Sequence, residues 1–78
     1  MTPAQCRAAR ALLDLTQSEL ARAADLGLST VVDFEKQRRL VSEEAVKAIR
    51  RALEQSGIEF LDGDPGPGLR LRKPSRRR

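Results

Sequence analysis

The sequence predicts a compact, mostly α-helical domain with four helices, a C-terminal β-hairpin and a basic tail. Apolar residues recur at helical spacing through most of the chain, and capping signals precede three of the four periodic stretches. Two short alternating runs then flank a turn rich in glycine and proline. With 78 residues, the chain can hold one small core. We expect the helical domain over residues 1–57, a hairpin over 58–73 and a disordered basic tail over 74–78.

The first helix is predicted to begin in the sequence TPAQ. Thr2 can cap it, and Gln5 completes a T-x-x-Q capping box, in which each side chain bonds the other residue's backbone. Arg10 lies beside the apolar stripe of this helix and therefore needs a partner. The stripe that would face the core consists of Cys6, Ala9 and Leu13.

The second helix has the strongest start signal in the chain, LTQSEL. Thr16 and Glu19 form a T-x-x-E capping box, and Leu15 and Leu20 occupy the positions of a hydrophobic staple. The small side chain of Ala21 would let another helix approach closely. We expect the apolar face of this helix to consist of Leu20, Ala23 and Ala24.

The third helix is predicted over residues 28–36, after a very short break in the segment AADLGLST. Asp25 stands where such a turn usually has glycine, and aspartate tolerates the left-handed conformation better than most residues. Gly27 is an acceptable but weak N-cap, and Val31 and Phe34 would face inward. The outward face carries few charges for a merely solvated helix, and its residues are Ser29, Thr30, Val32 and Asp33.

A loop over residues 37–41, which contains Arg38 and Arg39, precedes the fourth helix. Ser42 is the predicted N-cap of this helix and Gly57 its C-terminal stop. Its buried stripe is expected to consist of Ala45, Val46, Ile49 and Leu53.

The runs IEFLD and LRLRK alternate around the turn GDPGPG and predict a β-hairpin. Because an isolated hairpin is marginally stable, it must pack on the fourth helix or pair with another chain. We expect a dimer interface that combines the strand edge with the end of the fourth helix. The apolar side chains assigned to this interface are Ile58, Phe60, Leu69 and Leu71.

The tight break between the second and third helices predicts a helix-turn-helix arrangement. Ala21 allows the two helices to cross closely, Val31 anchors the third on the second, and Leu26 fills the wedge between them. Such a geometry projects the third helix so that it can enter the major groove of DNA. Each feature alone occurs in any small helical core, but together their spacing favours DNA binding.

The segment TQSELARAADLGLSTVVDFEKQRR resembles the helix-turn-helix of the Cro/C1-type (Xre family) phage and bacterial repressors. The resemblance extends over residues 3–56 and implies a lambda-repressor-like helix-turn-helix domain. It also implies that Arg10 and Glu35 form a structural ion pair between the first and third helices. It implies neither a metal nor a cofactor.

The resemblance further implies roles in DNA binding. Gln17 would contact a phosphate from the start of the second helix, and Lys36, Arg38 and Arg39 would clamp the DNA backbone. The recognition helix, residues 28–36, would direct toward the major groove the side chains of Leu28, Ser29, Thr30, Val32 and Asp33. Leu28 and Val32 would contact thymine methyl groups, and Asp33 would accept from a cytosine amino group. The outward face lacks Gln, Asn and Arg, the usual bidentate readers, which leaves open which bases are read.

The excess of basic charge is confined to the end of the chain. Of the 15 basic residues, six lie within residues 69–78, which leaves residues 1–68 with nine basic and 11 acidic residues and a net charge of −2. The tail can serve as a phosphate-seeking arm or as a solubilising end, and the sequence favours these two interpretations equally.

These observations favour a sequence-specific transcriptional repressor that binds an inverted-repeat operator in double-stranded DNA as a homodimer. The alternative is a protein-binding module on the same scaffold, such as an antitoxin or an antiactivator. The chain has no histidine, glycine-rich phosphate loop or metal-ligand spacing, which argues against an enzyme. With one cysteine, Cys6, and no membrane-spanning run, we expect a cytoplasmic protein of bacterial or phage type, associated with the nucleoid.

Overall fold

The computed structural model describes residues 1–61 and 68–72, in which four α-helices precede two antiparallel strands. The elements are α1 (Pro3–Leu13), α2 (Gln17–Ala24), α3 (Leu28–Lys36), α4 (Glu43–Gln55), β1 (Ile58–Leu61) and β2 (Gly68–Leu71). This arrangement confirms the predicted fold class. Residues 63–67 of the predicted turn GDPGPG, and the basic tail predicted at 74–78, lie outside the described residues.

Side-chain caps start three of the four helices, as the sequence predicts. The hydroxyl of Thr2 accepts from the backbone N–H of Gln5 at 3.0 Å, and the side chain of Gln5 accepts from the N–H of Thr2 at 2.8 Å. Thr16 and Glu19 form the same reciprocal pair at the start of α2, and Ser42 caps α4. Each cap of this kind contributes about 1 kcal/mol to stability.

Helices α1, α2 and α3 each end in a left-handed residue that is not glycine. The φ angle is 58° at Asp14, 60° at Asp25 and 55° at Gln37. Each of these residues donates its N–H to carbonyls of the preceding turn, which closes the helix end. The sequence predicted this conformation only for Asp25. Gly57, at φ 111°, stops α4 as predicted.

The core lies between the helices and the inner face of the hairpin, and each of the four predicted stripes differs from it in part. Its buried apolar members are Cys6, Ala9, Leu20, Ala21, Val31, Ile49, Ala52, Leu53, Ile58 and Phe60. Ala23 is exposed rather than buried. Residues that were predicted to be buried but lie half-buried at the rim are Leu13, Ala24, Phe34, Ala45 and Val46. On α4 the shift arises because burial is concentrated in its C-terminal half, the part of the helix adjoining the hairpin.

The apolar side chains of the hairpin belong to the core of the monomer. In the antiparallel register, Ile58 lies opposite Leu71 and Phe60 opposite Leu69. Ile58 and Phe60 are buried, and Leu69 and Leu71 are half-buried against the same core. Ile58 and Phe60 are therefore covered within the monomer, and the sequence-based assignment of these four side chains to a dimer interface stays a prediction.

The two strands of the hairpin pack against different helices. On one side β2 lies against α1, where the side-chain amide of Gln5 donates to the carbonyl of Gly68 at 2.8 Å. On the other side β1 lies against α4, and the guanidinium of Arg50 lies 5.0 Å from the centre of the Phe60 ring. These contacts explain why a two-stranded hairpin, marginal by itself, is ordered here.

Candidate nucleic-acid interface

The connection between α2 and α3 is a three-residue turn, residues 25–27. The left-handed Asp25 ends α2, and the N–H of Leu26 donates back to the carbonyl of Ala21 at 2.9 Å. Ala21 of α2 and Val31 of α3 are both buried in the core, and the two helices pack against each other. The small residue and the closed helix end together fix the angle at which α3 leaves the domain.

The accessible face of α3 lies opposite its buried side. Val31 and Glu35 are both buried, one turn apart. Because successive residues turn by about 100° around a helix, the centre of the opposite face is formed by Ser29, Asp33 and Lys36. This face is polar and reachable from solvent, which suits it for insertion into a groove.

A buried carboxylate joins the first three helices. Glu35 is 1% exposed, and its two oxygens accept from Arg10 through Nε at 2.7 Å and Nη2 at 2.8 Å. The Cys6 thiol donates to Oε2 at 3.1 Å, and the Gln17 side-chain amide donates to Oε1 at 3.0 Å. We call Glu35 with Arg10, Cys6 and Gln17 the Glu35 network. It fixes α3 to α1 and to the start of α2.

The Glu35 network shifts the pKa values of three of its members, Glu35, Cys6 and Arg10. Burial by itself would raise the pKa of Glu35, but the hydrogen bonds from Arg10, Cys6 and Gln17 outweigh it and hold that pKa below its ordinary value. Burial, together with the hydrogen bond to Glu35, raises the pKa of the Cys6 thiol. Cys6 therefore stays protonated and donates to the carboxylate, as a structural thiol rather than a nucleophile.

Two further groups of cations border α3. An open groove between the end of α1, the start of α2 and the end of α3 is lined by Arg7, Arg10 and Lys36, among others. Beyond the helix, Arg38 is exposed, and Arg39 donates through Nε to the Asp33 carboxylate at 2.8 Å. The face that could meet DNA is thus basic on two sides, although residues 1–68 carry a net negative charge.

Comparison with protein-family models matches residues 7–60 to the helix-turn-helix model. The match spans more than half of the chain and includes α2, α3 and α4 entirely. The chain belongs to the Cro/C1-type helix-turn-helix family. Among curated proteins, none matches it.

The family consists of DNA-binding regulators, and all of the proposed DNA-binding residues lie in α2, in α3 or in the loop after α3. The exposed members are Leu28, Ser29, Lys36, Arg38 and Arg39, and the half-buried ones are Thr30, Val32, Asp33 and Gln17. Three of them, including both Gln17 and Asp33, already have partners inside the chain. The Gln17 side chain bonds Glu35, and the Asp33 carboxylate bonds Arg39. Both side chains are therefore less free to contact DNA than the sequence suggested.

Three contacts of this Cro/C1-type domain were missed by sequence reasoning. Arg7 Nη1 donates to the backbone carbonyl of Glu35 at 2.6 Å, near the C-terminus of α3. The thiol of Cys6 and the amide of Gln17 complete the bonding of the Glu35 carboxylate. The sequence held one signal for the Arg7 contact. Arg7 and Arg10 are three residues apart on α1, so both side chains lie on the same side of the helix and can reach Glu35.

The residues that the structure describes, 1–61 and 68–72, contain no group of three or more acidic, cysteine or histidine side chains that could hold a metal ion. Within the same part of the chain, no helix is long and apolar enough to cross a membrane.

Proposed function

We propose that this regulator is a transcriptional repressor that binds an inverted-repeat operator in double-stranded DNA as a homodimer. The observation that carries the proposal is the accessible polar face of α3, in a helix-turn-helix whose third helix is fixed by the Glu35 network. In this proposal α3 enters the major groove and presents Ser29 and Thr30 to base edges and Leu28 and Val32 to thymine methyl groups.

The cations beside α3 support a grip on the DNA backbone. Arg7 and Lys36 line the groove beside the start of α2, where the helix N-terminus also offers backbone N–H groups to an anion. Arg38 extends this basic surface beyond the end of α3. Gln17 contacts phosphate through its backbone N–H in this proposal, because its side chain donates to Glu35. Such contacts set the register of the helix without reading sequence.

The size of the domain supports a dimer. One short recognition helix covers one half-site, and a twofold dimer would place two of them about 34 Å apart on an inverted repeat. We propose the outer strand edge of the hairpin and the end of α4 as the dimer surface. The protein would act in the cytoplasm on the nucleoid DNA of a bacterium or phage.

A mobility-shift titration tests this function with the DNA upstream of the protein's own gene and a scrambled duplex of equal length. We expect tighter binding to the upstream DNA and a steep loss of affinity as salt increases. Light scattering of the complex should show two chains per duplex. Equal affinity for both duplexes would contradict sequence-specific repression, and the absence of salt-dependent binding to either would contradict the DNA-binding function altogether.

A second candidate function is a protein-binding role on the same scaffold, as in an antitoxin or antiactivator. It is favoured by Leu40, which is 96% exposed in the loop between α3 and α4, and by the net charge of −2 over residues 1–68. Affinity purification from the native host tests it. A stoichiometric protein partner that is lost in Leu40→Ser, with DNA binding absent, would replace the repressor proposal.

A further inference from the structure

We propose that Arg39 is a base-reading residue that recognises guanine and that Asp33 holds it in position. The inference rests on the proposed DNA-binding function and deepens it. It assigns a specificity-determining role to an arginine that lies outside the recognition helix, and it assigns Asp33 a positioning role in place of a contact with cytosine.

The geometry of the ion pair leaves the reading end of the arginine available. Arg39 donates to Asp33 Oδ2 through Nε, at 2.8 Å. Among residues 1–61 and 68–72, no hydrogen bond uses the two terminal nitrogens of Arg39, and its side chain is 52% exposed. The Asp33 side chain is only 19% exposed. The carboxylate is thus largely shielded from solvent, whereas about half of the Arg39 side chain is exposed and its terminal nitrogens have no partner among the described residues.

The location of Asp33 puts this fork on the surface that would face the groove. Asp33 lies one turn after Ser29 and one turn before Lys36, at the centre of the face opposite the buried Val31 and Glu35. Arg39 belongs to the loop after α3, but its contact with Asp33 brings its side chain back onto this face. The outward face of α3 carries no Gln, Asn or Arg of its own, so Arg39 supplies the planar donor that it lacks.

Guanine is the base that matches this donor. In the major groove it presents two acceptors, N7 and O6, side by side, and the terminal nitrogens of arginine pair with both. The bond to Asp33 fixes the plane of the guanidinium before binding, so less side-chain entropy is lost when the two hydrogen bonds form. The adjacent carboxylate also offsets the positive charge of Arg39, which disfavours a phosphate more than a neutral base.

Arg38 provides the matched contrast. It is the preceding residue in the same loop, it is exposed, and it forms no ion pair with the described part of the chain. An arginine that is unrestrained and fully charged suits a phosphate contact. The two neighbours therefore have different roles: Arg39 reads one base and Arg38 holds the backbone.

The test is selection of binding sites from a random duplex library, with the full-length wild type and the variants Arg39→Ala, Asp33→Asn and Arg38→Ala. We expect the wild type to enrich a motif with a fixed guanine at one position of each half-site. Arg39→Ala should lose the preference at that position alone, about 10-fold or more in affinity ratio. Asp33→Asn should reduce the same preference by less. Arg38→Ala should weaken binding to every duplex and keep the guanine.

A second measurement probes the contact directly, on the enriched duplex with that guanine replaced by 7-deazaguanine, which lacks the N7 acceptor. The wild type should bind the modified duplex less tightly, whereas Arg39→Ala should bind both duplexes equally. Thermal unfolding serves as the folding control, because an exposed ion pair contributes little stability and all three variants should melt like the wild type.

The outcomes separate this inference from the function on which it rests. If Arg39→Ala keeps the guanine and weakens all duplexes as Arg38→Ala does, Arg39 is a phosphate clamp and the inference is overturned, while the repressor proposal stands. Equal binding of the wild type to the guanine and 7-deazaguanine duplexes overturns it as well. If the wild type enriches no motif and shows no salt-dependent binding, the proposed function itself fails.

Discussion

At the scale of single residues, Glu35 is the one buried charged side chain among residues 1–61 and 68–72, and three other side chains bond its carboxylate. Its carboxylate is buried, and four hydrogen bonds from Arg10, Cys6 and Gln17 compensate for its desolvation. A buried ion pair of this kind adds little net stability. Removing one of its two charges is nevertheless costly, because the other charge is left unpaired. The main effect of the network is therefore to hold α1, α2 and α3 in a fixed relative orientation.

We expect Glu35→Ala to lower the free energy of unfolding by about 3 kcal/mol, because it leaves Arg10 without its buried partner. Urea unfolding followed by circular dichroism measures this change. The double variant Arg10→Met with Glu35→Leu is the control and should recover part of the loss, since it removes both charges together. An unchanged urea midpoint in Glu35→Ala would show that the ion pair does not hold the fold together.

The lowered pKa of Glu35 also predicts how stability depends on pH. Because this pKa is lower in the folded than in the unfolded chain, the ionised network stabilises the fold above the ordinary glutamate pKa. That stabilisation is lost as the pH falls through the folded-state pKa. Between about pH 6 and pH 3, wild type should lose more unfolding free energy than Glu35→Gln, which cannot titrate there. Parallel pH profiles of the two proteins would contradict the prediction.

Ser29 and Thr30 test the reading face without touching the core. Ser29 is exposed and Thr30 half-buried, so replacing both by alanine should leave the melting temperature nearly unchanged. Specific DNA binding should weaken by about 10-fold, because hydroxyl contacts to bases or phosphates are lost. Fluorescence anisotropy with the selected duplex measures the loss, and a random duplex is the control. A large drop in melting temperature would instead assign these residues to the structure.

At the scale of helices and strands, the starts of the helices could be predicted and their ends only in part. Thr2, Thr16 and Ser42 cap their helices with side-chain hydrogen bonds to the nearby backbone. Because these bonds are local, the helix starts can be predicted from the sequence. The left-handed ends at Asp14 and Gln37 have no comparable signal, since neither residue requires that conformation. The shifted stripe of α4 also depends on where the hairpin packs, and spacing alone does not reveal this.

Substitutions at Asp25 test how the backbone conformation of the turn between α2 and α3 affects stability. At φ 60° an aspartate is tolerated, but a glycine adopts the conformation without a steric cost. We expect Asp25→Gly to leave the unfolding free energy unchanged or to raise it by up to about 1 kcal/mol. Asp25→Val is the matched control. It should destabilise the fold, because β-branched residues avoid the left-handed region of φ and ψ. Clear destabilisation by Asp25→Gly would mean that the aspartate side chain makes a bond that stabilises the turn.

At the scale of the whole molecule, the hairpin shows most clearly what the sequence left open. Its alternation predicted the strands correctly, but not which surface its apolar side would cover. The answer depends on tertiary contacts such as Gln5 with Gly68, which are far apart in the chain, and Arg50 with Phe60. The same limit applied to the candidate site. The Arg10–Glu35 pairing was suggested by family resemblance, whereas the contact between Asp33 and Arg39 emerged only from the folded loop.

The basic end of the chain acts, in our proposal, on affinity rather than on specificity. The six basic residues of 69–78 outweigh the negative charge of the rest, and the last three are arginines. Deleting residues 74–78 should therefore weaken binding by a similar factor on every duplex and reduce the salt slope by up to about 3, roughly one unit per lost phosphate contact. Titrations of the selected and random duplexes at several salt concentrations measure both quantities.

Replacing the three arginines by glutamine keeps the length and should have nearly the same effect. A loss confined to the selected duplex would mean that the tail reads bases, and no loss on either duplex would assign it to solubility.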